Sequence, residues 1–188
     1  MRRCWVMLVE ITEADGVRID LRYATADNFT GKPVYRAGAP CLLHPEAAEK
    51  LRMAVTLAAA QGLHFVIFDA YRPTEAQWKL WDHTPDPHFL ADPKKGSPHS
   101  RGVAVDLTLC TADGRELEMG TAFDAFTPRS HHGNQEISPE AQKNRLLLMG
   151  IMTTAGWDFY RNEWWHYQLF GSRDYALYSD AEAGGRMM

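Results

Sequence analysis

Residues 102–109, GVAVDLTL, constrain the fold more than any other part of the chain. Strand side chains alternate between faces, so Val103, Val105, Leu107 and Leu109 share one face while Ala104, Asp106 and Thr108 share the other. The run is apolar enough to be covered in a sheet, yet a carboxylate sits at its centre. An ionised carboxylate loses its hydration on burial, at a cost that only a cation or several hydrogen bonds can offset. Asp106 therefore looks away from the hydrophobic layer and is either solvated or held against a cationic partner.

The neighbouring segments supply a fold for this strand. HPEAAEKLRMAVTLAAAQG predicts a helix, with Pro45 at its first position, apolar residues at 47, 48, 51, 54, 55 and 58, and Gly62 as its stop. LHFVIFD follows as a buried strand ending on Asp69. Thr74, with Gln77 three residues later, has the form of a capping box, so a second helix is expected near Thr74 with Trp78 and Trp81 facing the core. Residues 82–98 hold four prolines among polar residues and read as an irregular surface segment. Ser138 and Pro139 announce a third helix running to about Ala155 and stopped by Gly156. EWWHYQLF is the last strand. Helices and strands do not alternate regularly enough for a parallel array, which argues for an α+β fold with a mainly antiparallel sheet.

At 188 residues the chain suits one domain, taken as residues 1–188. With 45% hydrophobic and 23% charged residues it is neither a disordered chain nor a membrane protein by composition. The net charge of −4 and the lack of any basic cluster beyond Lys94 and Lys95 argue against a nucleic-acid partner. Cys4, Cys41 and Cys110 are odd in number and far apart, which reads as reduced thiols rather than a disulfide framework or a thiolate metal site. In the opening MRRCWVMLVEIT, Glu10 interrupts the apolar run before it reaches the length of a signal-peptide core, so a cytoplasmic location is expected.

His99 precedes the strand of Asp106, and His166 lies on the distant aromatic strand. Two imidazoles and one carboxylate are a ligand set of a catalytic zinc that keeps its fourth position for water, and such a cation would explain Asp106. A lone histidine beside a strand is more often a hydrogen-bonded or exposed residue. Glu163, three residues before His166, adds the carboxylate that a zinc hydrolase needs beside its water. A regular strand would put positions 163 and 166 on opposite faces, so this role requires Glu163 to sit in the turn leading into the strand; the other reading is an exposed loop glutamate. Arg72, in DAYRP, is held extended by Pro73 and can project a guanidinium into a cleft to meet an oxyanion or a carboxylate, or else pair with Asp69 or Glu75. His131 and His132 are adjacent and cannot easily serve one ion, so they read as pocket-wall or hydrogen-bonding residues.

SPHSRGVAVDLTL, DAYRP, MGTAFDAFTPRSHH and EWWHY, with YATADNFTGKPVY near the start, together resemble the VanX-type D-alanyl-D-alanine dipeptidases. These are zinc peptidases that share a fold with D,D-carboxypeptidases and the hedgehog signalling domain. The resemblance spans most of residues 15–170 and implies one zinc per chain on His99, Asp106 and His166, Glu163 as catalytic base and Arg72 as transition-state cation. It further implies Asp124 as anchor of the substrate ammonium, with Tyr23 and Ser97 lining the pocket. Taken by themselves, Asp124 could be a cap or turn residue and Tyr23 a core aromatic. Pro98 departs from the small polar residue common in the family and removes a backbone N–H. The substrate so implied is a small D,D-dipeptide, with neither nucleic acid nor membrane as partner and with homo-oligomers left open. The alternatives are a D,D-carboxypeptidase acting on peptidoglycan stem peptides and a non-catalytic zinc-binding domain.

Overall fold

The structure is a computed structural model that describes residues 7–188; Cys4 and most of the basic opening lie outside the described residues. In chain order its elements are β1 (Val9–Ile11), β2 (Val17–Ile19), β3 (Cys41–Leu43), α1 (Pro45–Ala59), β4 (Leu63–Asp69), α2 (Thr74–His83), β5 (Ala104–Thr111), α3 (Pro139–Thr154), β6 (Trp157–Phe159) and β7 (His166–Leu169). Five strands form one sheet in the order β2-β4-β5-β7-β6, antiparallel except for the β2–β4 pair, and β1 and β3 form a separate antiparallel pair. This is the expected α+β class with a mainly antiparallel sheet.

The alternation read from β5 separates two environments. Val103, Val105, Leu107 and Leu109 join a core with Ala47, Ala48, Leu51, Ala54 and Ala58 of α1 and Leu148, Ile151 and Met152 of α3. Each large aliphatic side chain buried there contributes about 1.5–3 kcal/mol relative to exposure. The opposite face of β5 carries Asp106 and Thr108, and it too is buried, under loops rather than helices.

Local chemistry sets the helix bounds. The His44 imidazole accepts from Glu46 N–H at 3.3 Å ahead of α1, and Ser138 Oγ accepts from Ala141 N–H at 3.0 Å ahead of α3. Both helices have proline in their first turn, and Gly62 and Gly156 follow them at φ 70° and 91°. At α2 the expected capping box does not form. Pro73, not Thr74, is the N-cap, no side chain caps the helix, and Gln77 turns inward to polar partners. Ala76, Gln77 and Leu80 are the buried face of α2, and Trp78 is 40% exposed, contrary to the core position expected for it.

The thiols of Cys41 and Cys110 are free and buried, and burial pushes both thiol pKa values up, so neither is a ready thiolate. Among the described residues no helix is long and apolar enough to cross a membrane.

Candidate active site

Strand register places the polar row. Asp106 of β5 lies opposite His166 of β7 on one side and opposite Asp69 of β4 on the other. Residues directly opposite in an antiparallel pair share a face. The pairing of β4 with β5 slips between Ile67 and Asp69, and this bulge is what brings Asp69 into line with Asp106 after Phe68. His99 enters from a 3-10 turn, His99–Arg101, just before β5. Gly102 closes that turn at φ 68° with its N–H on His99 C=O at 2.9 Å, and a Cβ there would meet Leu8 Cδ2 at 2.9 Å and His44 N at 3.1 Å. Pro98 is the turn's N-cap, and its carbonyl accepts from Arg101 and Val103.

The three side chains meet. His99 Nε2 is 3.1 Å from His166 Nδ1 and 3.3 Å from Asp106 Oδ1, and His166 Nδ1 is 3.0 Å from the same carboxylate oxygen. Each imidazole has its other nitrogen occupied. His99 Nδ1 donates to the Ala70 carbonyl at 2.7 Å and His166 Nε2 donates to Gln168 Oε1 at 3.1 Å. With those protons facing outward, two nitrogen lone pairs and a carboxylate oxygen converge in a buried place, which only a shared cation makes favourable. A tetrahedral zinc roughly 2.0–2.1 Å from each ligand sets ligand atoms about 3.3 Å apart, close to the three separations observed, so the residues fit that ion. Burial raises the Asp106 carboxyl pKa, but in the metal-free cluster the positive charge and inward N–H groups that His99 and His166 offer when protonated outweigh it and hold the carboxyl well below the usual range, the place a metal cation takes when the imidazoles are neutral.

Around this cluster stand the other expected residues. Glu163 lies in the turn before β7, its N–H on Tyr160 C=O at 3.3 Å, with Oε2 3.9 Å from His166 Nδ1. Burial, joined by the charges of Asp106 and Asp124, pushes its carboxyl far above the ordinary glutamate range, more than Arg72 pulls it down. Arg72 is buried and does pair with Asp69: Nε donates to Asp69 Oδ2 at 2.9 Å, and Nη2 is ion-paired with the same oxygen at 2.8 Å. Nη1 donates to Gln77 Oε1 at 2.9 Å, Nη2 stands 3.7 Å from Asp106 Oδ2, and the guanidinium lies 5.0 Å from the Tyr23 ring centre. Pairing with Asp69 and facing the site are thus compatible, because Nε and Nη1 hold Arg72 in place with two of its five N–H groups while the rest of the guanidinium is left to the site. Asp69 also accepts from Tyr35 OH at 2.7 Å.

Asp124 has φ 59°, a left-handed conformation rarely adopted without a reason in the surrounding structure, and its Oδ2 accepts from Tyr23 OH at 2.9 Å. Burial and the Asp106 charge push its carboxyl far up. Ser97 Oγ accepts from His99 N–H at 3.2 Å, which leaves its own O–H free to donate. All eight expected residues line one cavity of about 350 Å³, near the lower end of the usual range for small-ligand sites. Phe89, Leu90, Lys95 and Gly96 line it too, so the irregular segment before His99 is a wall of the cavity and not only surface. His131 and His132 join neither the cluster nor the lining. His131 stands against Phe89 and His132 is packed between Phe159 and Tyr167.

Asp69, Gln77 and Gln168 have positions that the sequence reading did not assign. Gln168 was within reach of alternation, being two residues beyond His166 on the same face. Asp69 depended on a bulge, and Gln77 on a side chain that bonds Arg72 and the Ala91 carbonyl at 2.7 Å rather than its own helix end.

A family model described as D-ala-D-ala dipeptidase, Peptidase_M15, matches residues 6–181. The D-alanyl-D-alanine dipeptidase of Escherichia coli (strain K12) is 46% identical over 164 residues, covering 87% of this chain and 84% of the relative. That of Enterococcus faecium is 41% identical, covering 82% of this chain and 86% of the relative. Among solved structures, VanYB in complex with D-Alanine-D-Alanine has a TM-score of 0.46 at 17% identity, over 71% of this chain and 75% of that one.

Proposed function

Because this chain belongs to the Peptidase_M15 family of D-Ala-D-Ala dipeptidases, we propose that it is a zinc metallopeptidase that hydrolyses D-alanyl-D-alanine, or a close D,D-dipeptide, to free D-amino acids. The observation that carries this reading is the buried convergence of His99, Asp106 and His166 beside an uncommonly basic carboxylate, Glu163.

Zinc, when bound, supplies Lewis acidity, lowering the pKa of a coordinated water towards about 7 and polarising a carbonyl. His99 and His166 present lone pairs fixed by Ala70 and Gln168, and Asp106 supplies the negative charge. Glu163 takes the proton of the attacking water and returns it to the leaving nitrogen, a round trip suited to a carboxyl that burial has made more basic than an ordinary glutamate. Arg72, anchored by Asp69 and Gln77, turns the rest of its guanidinium to the negative charge that grows on the carbonyl oxygen. Asp124 Oδ2 is engaged by Tyr23, so Oδ1 is the atom offered to the substrate ammonium. Ser97 O–H is a donor for the peptide or its carboxylate. A cytoplasmic location belongs to the same proposal.

Incubation of the zinc-loaded protein with D-Ala-D-Ala, L-Ala-L-Ala and a pentapeptide ending in D-Ala-D-Ala tests this reading. Release of D-alanine from the free D,D-dipeptide alone is expected. Cleavage of the pentapeptide at a comparable rate would make the protein a D,D-carboxypeptidase, and no cleavage of any would make it a binding domain.

A further inference from the structure

Arg145 of α3 is 3% exposed and has no carboxylate partner among the described residues. A buried guanidinium without a counter-charge is costly, so whatever holds it is specific. Two of its nitrogens reach three backbone carbonyls of one irregular segment, Nε to Met119 at 2.7 Å and Nη1 to Arg129 at 2.9 Å and His131 at 3.1 Å, while Nη2 has no hydrogen-bond partner among the described residues. The adjacent Asn144 Nδ2 donates to Glu118 C=O at 2.9 Å. Segment 119–131 is thereby gathered at both ends onto α3. It is closed internally by Ser130 Oγ, which bonds Ala125 C=O at 2.5 Å and Thr121 Oγ1 at 3.0 Å. It is also tied to the Glu163 turn, because Trp164 Nε1 donates to Thr121 Oγ1 at 2.8 Å and Trp164 N–H to Ser130 C=O at 3.1 Å, with the Arg145 guanidinium 5.8 Å from the indole centre.

Asp124 sits in the middle of this gathered segment in its left-handed conformation. A second cavity, of about 480 Å³, is lined by Ala122, Phe123, Ala125 and Trp164, and Asp124 lines both it and the catalytic cavity. The segment is therefore a partition. If it moved, the space beyond it would become available to anything attached to the substrate's amino end.

Resting on the dipeptidase reading above, we propose that Arg145 is a positioning residue that sets substrate length, clamping segment 119–131 as the wall that ends the catalytic cavity at Asp124. A lysine in its place keeps the charge but cannot bond three carbonyls spread around a planar fork. A purely structural role would lower turnover of every substrate by one factor, whereas loss of the wall changes their ratio.

The test compares kcat/KM for D-Ala-D-Ala and N-acetyl-D-Ala-D-Ala in the wild type, Arg145→Lys and Trp164→Phe, alongside amide hydrogen exchange over 119–131. Trp164→Phe removes the tie to Thr121 while leaving the Arg145 charge and its three carbonyl bonds in place, and it carries the test of the wall if Arg145→Lys does not fold. Preference for the free dipeptide is expected to fall about tenfold or more in the variants, with faster exchange confined to the segment. Equal fractional losses on both substrates, or unchanged exchange, would overturn the proposal. A wild-type protein inert towards D-Ala-D-Ala would instead overturn the dipeptidase reading, while exchange would still report whether the clamp exists.

Discussion

Replacing Asp69 by asparagine removes one negative charge from a fully buried position and tests how Arg72 is held. Burial pushes the Asp69 carboxyl up even though the charges of Arg72 and His99 pull it down, so neutralising this side chain is not itself expensive. The cost falls on Arg72, which is 5% exposed and loses the anion that receives both Nε and Nη2 while keeping Gln77 and the more distant Asp106 carboxylate at 3.7 Å. Orphaning one member of a buried ion pair costs about 3–5 kcal/mol. Asparagine retains an acceptor oxygen, which places the expected loss near 3 kcal/mol. With a urea dependence of about 1–3 kcal/mol per M, the midpoint of metal-free protein should drop by roughly 1–3 M. In the double variant Asp69→Asn with Arg72→Met the orphan is gone, and the loss should fall short of the sum of the single losses by about 2 kcal/mol. Zinc stoichiometry should be unchanged in all three, because Asp69 meets His99 at Nδ1, 3.6 Å away, and not at the Nε2 that faces His166 and Asp106. A loss under about 1 kcal/mol for Asp69→Asn, or strict additivity in the double variant, would refute the reasoning.

Gln168→Leu removes the acceptor that orients His166, so zinc affinity measured by competition with a chelator should weaken roughly 10- to 100-fold; unchanged affinity would mean that the strand alone fixes the ring. His132 is half-buried and its pKa is pushed down to about 4, by desolvation first and then by the Arg145 charge. Its unfolded value being about 6.5, the unfolded chain binds the extra proton between these limits, so stability is lost as pH falls from 6.5 towards 4, by about 3 kcal/mol in all. His132→Gln should flatten that part of the stability profile, and a slope unaltered by the substitution would assign it to other groups.

What the sequence revealed and what it hid divide along the range of the interactions. α1 and α3 have proline at their starts and glycine just past their ends, local signals that need no knowledge of the fold, and both were read to within a few residues. The alternation in β5 likewise separated the helix-covered face from the face of Asp106 before any contact was known. The strands β1, β2, β3 and β6 are three residues each, too short for a periodic pattern, and they went unread. Gln77 has the spacing of a capping residue, yet a buried guanidinium 2.9 Å away is the stronger partner, and only the tertiary structure brings it there. Trp78 was assigned to the core on hydrophobicity alone, whereas α2 buries the smaller residues Ala76 and Leu80 on its inner face. Glu163 shows the opposite case. The spacing from His166 required a turn between them, and the chain does turn there, with Glu163 C=O accepting from His166 N–H at 3.4 Å.

The most direct measurement of the central claim is the turnover of D-Ala-D-Ala by zinc-loaded Glu163→Gln relative to wild type, with metal content determined on the same samples. Glutamine keeps the size of the side chain and removes its basicity. One zinc per chain should therefore remain while kcat falls by about 10²- to 10⁴-fold, the range of a lost general base. Retention of full activity, or loss of activity only in proportion to lost zinc, would contradict the account.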